Sequence, residues 1–230
     1  MGQAAHGNCI LVRQSKVYTM FRNYSRLELC ILGLGFLLWA IPIHAQESSG
    51  KTRRAEVLVD QGVFLVSYNE VLEQPNWVSY TVRNIVKKAD RKGIRFRTDP
   101  RVHTSDAADY YNNPWDRGHL APAGSFTDSY SNLYATFSYL NIALQKDQLN
   151  RGAWAQLENQ VRQWAKTYGP IEVRIELLFA PDATVLPTGA TIPSTFVKRL
   201  YFSDGSTKCF EFLNEDPSSD WEAYQIGCGP

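Results

Sequence analysis

This sequence has few histidines, few cysteines and no large excess of positive or negative charge. Among 230 residues there are four histidines, four cysteines, and 24 Lys and Arg side chains against 23 Asp and Glu. The near-neutral balance excludes a protein that binds polyanions through overall charge, so any affinity for nucleic acid must come from local patches. With 44% apolar residues, six Trp and no repeat or low-complexity tract, the composition is typical of a packed globular protein.

The N-terminal segment differs in composition from the rest of the chain. Arg22 and Arg26 precede an apolar run over residues 27–43 that contains one acid, and small Ala45 stands before a polar stretch. This order predicts a secretory signal peptide cleaved after Ala45, and a periplasmic or secreted protein with no stable membrane association. Met20 is an alternative start, and an uncleaved anchor helix is the alternative to cleavage.

Cleavage after Ala45 would remove two of the four histidines and two of the four cysteines. The remaining chain would carry 20 basic and 22 acidic side chains, a net charge of −2, with only His103 and His119 as histidines. Cys209 and Cys228 would remain as an even pair, which predicts a disulfide in an exported protein; two free thiols are the alternative. Closing a loop of about 20 residues would stabilise the fold by about 3 kcal/mol.

Strands and one helix can be predicted from residue patterns. Segments rich in β-branched and aromatic residues predict strands at 63–68, 77–82, 171–177, 196–202 and 208–213, with a hairpin turn at Asp204-Gly205. Residues 171–177 alternate between apolar and polar, as in an antiparallel sheet with one buried face. A helix is predicted from Gln148 to Tyr168, ended by Gly169-Pro170, with a buried stripe of Leu149, Ala153, Leu157, Val161, Trp164 and Tyr168. Without βαβ alternation, the order predicts a single α+β domain over residues 56–230, after a linker at 46–55.

The segment Asp116-Arg117-Gly118-His119 carries groups suited to catalysis. It lies between an aromatic stretch and a Pro-Ala-Gly stretch, which predicts backbone in or beside a turn. Gly118 allows either a sharp turn or the close approach of another group. His119 at a strand end would serve as a general base, because neutral imidazole accepts a proton from water near pH 7. The alternative is an Asp116–Arg117 ion pair with a structural histidine. His103 has no partner motif, so we expect a surface or structural role.

Three polar residues recur along the predicted helix at multiples of four. Asn150 and Glu158 would lie about 12 Å apart along an ideal helix axis, too far for both to hold one small ion directly. Asn150 can offer its amide oxygen to Mg²⁺, Glu158 can hold a water that the ion retains, and Arg162 can meet a phosphate oxygen. The alternatives are a helix cap for Asn150 and a surface ion pair between Glu158 and Arg162.

A basic run lies upstream of these motifs, with two acids, Asp90 and Asp99, among its residues. Its cations are Arg83, Lys87, Lys88, Arg91, Lys92, Arg95, Arg97 and Arg101. Such a run can track a nucleic-acid backbone with salt-sensitive binding, and a solvated surface is the alternative for its individual lysines.

The motifs in combination closely resemble the DNA/RNA non-specific endonuclease family of the ββα-metal fold. The resemblance rests on Asp-Arg-Gly-His-Leu-Ala-Pro-Ala at 116–123, on Asn141-Ile142 before Gln145, and on Asn150-x-Gly-Ala-Trp-x-x-Leu-Glu158 with Arg162. It covers most of residues 60–202, including Arg95-Phe-Arg-x-Asp-Pro and Ile192-Pro-x-x-Phe-x-Lys198. Ala180-Pro181 departs from the Gly-Pro that relatives often have, and with residues 182–191 it leaves the shape of one cleft wall open.

This resemblance implies a Mg²⁺-dependent endonuclease that hydrolyses DNA and RNA without sequence preference, leaving 5′-phosphate and 3′-hydroxyl ends. One ion is implied, with Mn²⁺ or another divalent ion as the alternative. The implied roles are general base for His119, direct metal ligand for Asn150, metal contact through water for Glu158, phosphate contact for Arg117, Arg162 and an arginine near Arg95 or Arg97, and substrate binding for Asn141.

Two other functions stay open at this point. One is a nucleic-acid-binding module of the same fold with weak catalysis, and the other is a metal phosphodiesterase for small or lipid phosphodiesters. The sequence leaves open whether the protein forms a homodimer and whether it prefers DNA or RNA.

Overall fold

The computed structural model describes residues 52–229, so the predicted signal peptide and residues 46–51 of the predicted linker lie outside the described residues. Two residues of the predicted linker, Arg53 and Arg54, contact the fold. Arg53 pairs with Glu73 and Arg54 pairs with Glu70, each at 2.7 Å. Across residues 52–229 we find no helix with the length and hydrophobicity needed to cross a bilayer.

Antiparallel strands form most of the described chain. The strands are β1 (Val57–Asp60), β2 (Phe64–Asn69), β3 (Gln74–Val82), β4 (Trp115–His119), β5 (Ile142–Lys146), β6 (Ile171–Leu178), β7 (Thr195–Tyr201), β8 (Thr207–Leu213) and β9 (Gln225–Ile226). Within residues 52–229, seven of them form one sheet in the order β1-β2-β3-β6-β7-β8-β9, and β4 pairs with β5 alone. All five predicted strands and the antiparallel arrangement are confirmed. In β6, Ile171, Val173 and Ile175 are buried while the residues between them face outward, as the alternation predicts.

The predicted long helix is present but is interrupted near its start. Apart from short 3-10 turns, the helical elements are α1 (Tyr130–Ala135), α2 (Asp147–Leu149), a π-helical turn (Asn150–Trp154) and α3 (Ala155–Tyr168). The interruption is at Gly152, whose φ of −99° and ψ of −115° are not helical. Leu157, Val161 and Ala165 form the buried face of α3. Tyr168 was predicted to belong to this face and does not, because in the last turn Ala165 takes the buried position and Tyr168 is 61% exposed.

β4, β5 and the helix that follows form a ββα unit beside the sheet. His119 is the last residue of β4 and pairs with Ile142 at the start of β5. The helix starts at Asp147, directly after β5 ends, so Asn150 lies close to the end of β5. Because Lys146 at the end of β5 pairs with Trp115 at the start of β4, the first helical turn lies beside Asp116.

The C-terminal segment is tied to the sheet and lies against the helix kink. Cys209 in β8 and Cys228 form the predicted disulfide, with a Cα–Cα distance of 5.3 Å. Within the loop that this disulfide closes, Trp221 contacts Trp164 of α3 edge to face, with ring centroids 5.5 Å apart. A Cβ placed on Gly152 would lie 3.6 Å from Pro217 Cγ, so this segment supports the turn that carries Asn150.

Candidate active site

The Asp116-Arg117-Gly118-His119 segment is a strand that pairs residue by residue with β5, and His119 lies at its end, as the sequence predicts. The structure also decides why Gly118 is glycine. A Cβ at this position would lie 2.6 Å from Cβ of Gln145 on the facing strand, closer than real side chains approach. Close packing of another group, and not a sharp turn, therefore requires the glycine.

The strand end and the helix start line one open cleft of about 470 Å³. The polar side chains in its wall are Arg91, Asp116, Arg117, His119, Asn150, Arg151 and Glu158. The cleft thus brings together four residues singled out from the sequence, namely His119, Asn150, Glu158 and Arg117. Arg162 lies one helical turn beyond Glu158 and outside this wall.

His119 packs against two aromatic rings that also contact each other. Its ring centroid lies 5.4 Å from that of Phe96 and 5.2 Å from that of Phe137. Nε2 is buried and has no hydrogen-bond partner among the described residues. Burial, reinforced by the positive charge of Arg91, lowers the pKa of His119 from 6.5 to about 3. The imidazole is therefore neutral across the neutral pH range and able to accept a proton.

Asp116 fixes the orientation of the Asn150 side chain. Asn150 Nδ2 donates to Asp116 Oδ2 at 2.9 Å. Arg151 donates to the same carboxylate from Nε at 2.8 Å and from the guanidinium end at 2.6 Å. The partner of Asp116 is thus Arg151 and not Arg117, and Asn150 does not cap the N-terminus of the helix, where Lys146 takes that position. With its amide nitrogen engaged, Asn150 keeps its carbonyl oxygen for another group.

Glu158 lies in a strongly charged and partly buried setting. Burial raises the pKa of its carboxyl group, while the positive charges of Lys198 and Arg162 oppose that effect. Lys198 is 1% exposed, and its Nζ lies 3.5 Å from the ring centroid of Trp154. Burial lowers the pKa of Lys198 to about 8, against the opposing charge of Glu158. Arg162 donates to Asn159, and among the described residues it forms no direct ion pair with Glu158, although its charge acts on that carboxylate.

The donor atoms in the cleft fit a hard divalent cation. Within residues 52–229 there is no group of three or more His, Cys, Asp or Glu side chains that could hold a metal ion. A metal in this cleft would depend on the free amide oxygen of Asn150 and on waters held by the Glu158 carboxylate. Mg²⁺ prefers oxygen donors and retains several waters, so it suits this sparse donor set.

Comparison with known proteins identifies the family of the chain. Residues 45–228 match the model of the DNA/RNA non-specific endonuclease family. The chain belongs to this family. The structure is also similar to a chain in the crystal structure of the EndoG/EndoGI complex, with a TM-score of 0.68, 25% identity, and coverage of 74% of this chain and 80% of that one. The family and α+β fold predictions are thus confirmed.

Two relatives show how much of each chain the sequence similarity covers. The mitochondrial nuclease EXOG of Danio rerio is 32% identical over 125 residues, which are 52% of this chain and 36% of that protein. The nuclease of Serratia marcescens is 32% identical over 163 residues, 65% of this chain and 60% of the relative. The match to the EXOG relatives from four organisms spans about a third of their length.

Besides Arg162, three residues for which the resemblance implied substrate contact lie outside the cleft wall. Asn141 is fully buried, and its amide binds the backbone: Oδ1 accepts from Ala121 N at 2.7 Å, and Nδ2 donates to the carbonyls of Ala121 and Thr136. This placement does not support substrate binding and makes Asn141 a brace for the loop after His119. Arg97 donates to the Tyr134 carbonyl at 2.6 Å, and neither it nor Arg95 lines the cleft.

Arg91 and Lys198 were not assigned individual roles from the sequence, although the first lines the cleft and the second acts on Glu158. Arg91 is one cation in a run of eight, and the sequence does not indicate which of them faces the catalytic groups. Lys198 had a detectable signal, since it stands at an inward position of β7 between Phe196 and Leu200, both fully buried. A lysine at such a position requires a partner. His103 has the structural role expected for it, with Nε2 2.8 Å from Glu73 Oε1.

Proposed function

We propose that this protein is a divalent-metal-dependent endonuclease that hydrolyses DNA and RNA phosphodiesters without sequence preference, leaving 5′-phosphate and 3′-hydroxyl ends. The observation that supports it best is the meeting, in one cleft, of a neutral, half-buried imidazole, a free amide oxygen and a carboxylate. These belong to His119, Asn150 and Glu158. The retention of all three groups argues against a binding module without catalysis.

Phosphate binding falls to the arginines of the cleft. Arg91 and Arg117 line the wall on the side of Phe96, and Arg117 is steadied by the hydroxyl of Tyr139 at 3.3 Å and by the ring of Tyr110. Guanidinium groups bind phosphate oxygens in a fixed geometry. Such contacts address the backbone and not the base edges, which accounts for cleavage without sequence preference.

His119 acts as the general base in this proposal. Its Nδ1 takes a proton from a water molecule as the water oxygen attacks phosphorus, and the bond between phosphorus and the 3′-oxygen breaks. The 3′-oxygen leaves with a proton from solvent. Nδ1 is assigned this role because Nε2 is buried and has no access to water.

Asn150 and Glu158 would hold the metal ion, Asn150 through its amide oxygen and Glu158 through water. A bound Mg²⁺ supplies positive charge beside the phosphate where negative charge develops. Asp116 holds the amide in the orientation that this requires. Lys198, buried behind Trp154, favours the charged form of Glu158, since a nearby positive charge opposes the effect of burial.

The test is to incubate the purified protein with plasmid DNA and with RNA, in Mg²⁺ and in EDTA. We expect both polymers to be degraded in Mg²⁺ alone, and His119→Ala to reduce the rate by about 10² to 10⁴. His103→Gln is the matched control, since that histidine binds Glu73 away from the cleft and its loss should leave the rate unchanged. Survival of both polymers in Mg²⁺, or full activity of His119→Ala, would overturn the proposal.

The same proposal includes export to the periplasm or the medium. The Cys209–Cys228 disulfide supports it, because such bonds persist in oxidising compartments. Fractionating cells that express the full chain, and sequencing the N-terminus of the recovered protein, tests both export and cleavage after Ala45. Recovery of an intact N-terminus from the cytoplasm would contradict it.

A further inference from the structure

A second cavity, also of about 470 Å³, adjoins the catalytic cleft. Arg91, Ala123 and Gly124 line both cavities, so the two share that part of their walls. The wall of the second cavity also contains Arg83, Lys87, Arg162 and Lys166, with Asp90 as its one acid among the described residues. We call this cavity the basic pocket.

The charge of the basic pocket is largely uncompensated within the protein. Lys87 pairs with Asp90 at 3.3 Å, but both side chains are about two-thirds exposed, so the pair is weak. Arg162 packs against Gly124, where a Cβ would lie 3.4 Å from its guanidinium carbon. Its Nη1 is buried without a hydrogen-bond partner among the described residues. A buried guanidinium N–H without a partner indicates a place for an anionic acceptor.

The floor of the basic pocket is apolar. Ile85, Ala89, Ala123 and Leu133 contribute to it. The segment that carries Lys87 is fixed to the fold, since the backbone N–H groups of Lys88 and Ala89 donate to the Thr127 carbonyl at 2.7 and 2.9 Å. A preformed cavity with an apolar floor and a cationic rim suits a nucleotide, whose sugar and base would lie on the floor and whose phosphate would meet the rim.

The spacing along α3 relates this pocket to the site of cleavage. Along α3 the charged side chains follow at intervals of four residues, at Glu158, Arg162 and Lys166. Lys166 therefore lies about 12 Å beyond Glu158 along the helix axis. One strand of a duplex advances about 3.4 Å per phosphate, so this distance corresponds to three or four phosphates. We propose that the basic pocket binds a nucleotide of the substrate strand within about four positions of the scissile phosphate, so that efficient cleavage requires a strand long enough to reach it.

This inference rests on the proposed nuclease function, and the experiment separates the two. A single-stranded oligonucleotide of twelve residues and a dinucleotide are compared as substrates for the wild type, for Lys87→Ala/Lys166→Ala, and for Lys88→Ala/Lys92→Ala. The last variant is the matched control, because it removes the same charge from exposed residues that line neither cavity. Binding of the oligonucleotide in EDTA is measured in parallel by fluorescence anisotropy.

We expect Lys87→Ala/Lys166→Ala to lose about tenfold or more in kcat/KM and in affinity on the long strand, with a salt slope reduced by about 2, one for each phosphate contact. On the dinucleotide it should match the wild type. Equal losses on both substrates, or losses no greater than those of the control, would overturn the inference. If the wild type cleaves nothing, the proposed function fails, and the anisotropy comparison alone decides whether the pocket binds the strand.

Discussion

Asn150 Nδ2 donates a hydrogen bond of 2.9 Å to Asp116 Oδ2, which joins the first turn of the helix to the strand that carries His119. The contact links residues 34 apart in the sequence and fixes which face of the amide meets the cleft. It gives the first residue of the Asp-Arg-Gly-His motif a task separate from catalysis: it positions the residue proposed to bind the metal.

Asp116→Ala is therefore expected to weaken metal binding more than turnover. Loss of a residue that orients a metal ligand reduces affinity about 10- to 100-fold, so the Mg²⁺ concentration at half-maximal activity should rise by that factor. Activity at saturating Mg²⁺ should recover most of its wild-type value. Arg151→Gln is the control, because it removes the other donors to Asp116 and leaves the amide contact in place. An unchanged Mg²⁺ dependence in Asp116→Ala would contradict the role.

The pH profile should lack the acid limb of an ordinary histidine. Because burial and the charge of Arg91 lower the pKa of His119 to about 3, the base stays neutral and active at pH 5, where a histidine of ordinary pKa 6.5 is largely protonated. We expect kcat/KM at pH 5 to lie within about threefold of its value at pH 7. Arg91→Gln should move the acid limb to higher pH, since it removes a positive charge that disfavours protonation. A midpoint near 6.5 in the wild type would show that the imidazole is not buried as described.

Gly118→Ala should destabilise the β4–β5 pair. The added Cβ would meet Gln145 Cβ at 2.6 Å, and overpacking of this kind costs about 1 to 3 kcal/mol of unfolding free energy. Urea unfolding followed by tryptophan fluorescence measures the loss. Gly227→Ala provides the comparison, because its added Cβ would meet nothing within 4 Å. Equal stability of the two variants would argue against close packing as the reason for Gly118.

Cys209→Ser/Cys228→Ser should lower the unfolding free energy by about 3 kcal/mol, since the bond closes a loop between residues 19 apart. Unfolding in urea with and without a reductant measures this. The wild type should fall to the level of the double variant when reduced, while the variant itself should not respond to reductant. Stability of the wild type that is indifferent to reduction would contradict this prediction.

The strands of the large sheet could be predicted because their own residues carry the signal. In β6 the alternate apolar residues from Ile171 to Leu177 face the core and the polar residues between them face out, and this pattern can be recognised without knowing the partner strands. β4 has no such pattern, since Trp-Asp-Arg-Gly-His is mostly polar. Its strand conformation comes from pairing with β5, a contact distant in the sequence, which explains why the sequence alone places this segment only in or beside a turn.

The candidate site could be predicted in its chemical groups but not in its contacts. Spacing placed Asn150 and Glu158 at different distances from one ion, and both line the cleft. The break at Gly152 could not be predicted, because a glycine within a strong helical pattern is usually tolerated. The structural role of Asn141 could not be predicted either, because an amide that binds the backbone and one that binds substrate look the same in a sequence.

The C-terminal strand has a consequence for solubility. β9 is only two residues long, and it covers the edge of β8 by pairing with Cys209 and Phe210. Open strand edges recruit strands of other chains, and short capping strands prevent this. The bond from Cys228 to Cys209 holds that cap in place, so a reducing compartment would uncover a sheet edge while most of the fold is intact. We therefore expect the disulfide to oppose self-association as well as to stabilise the fold.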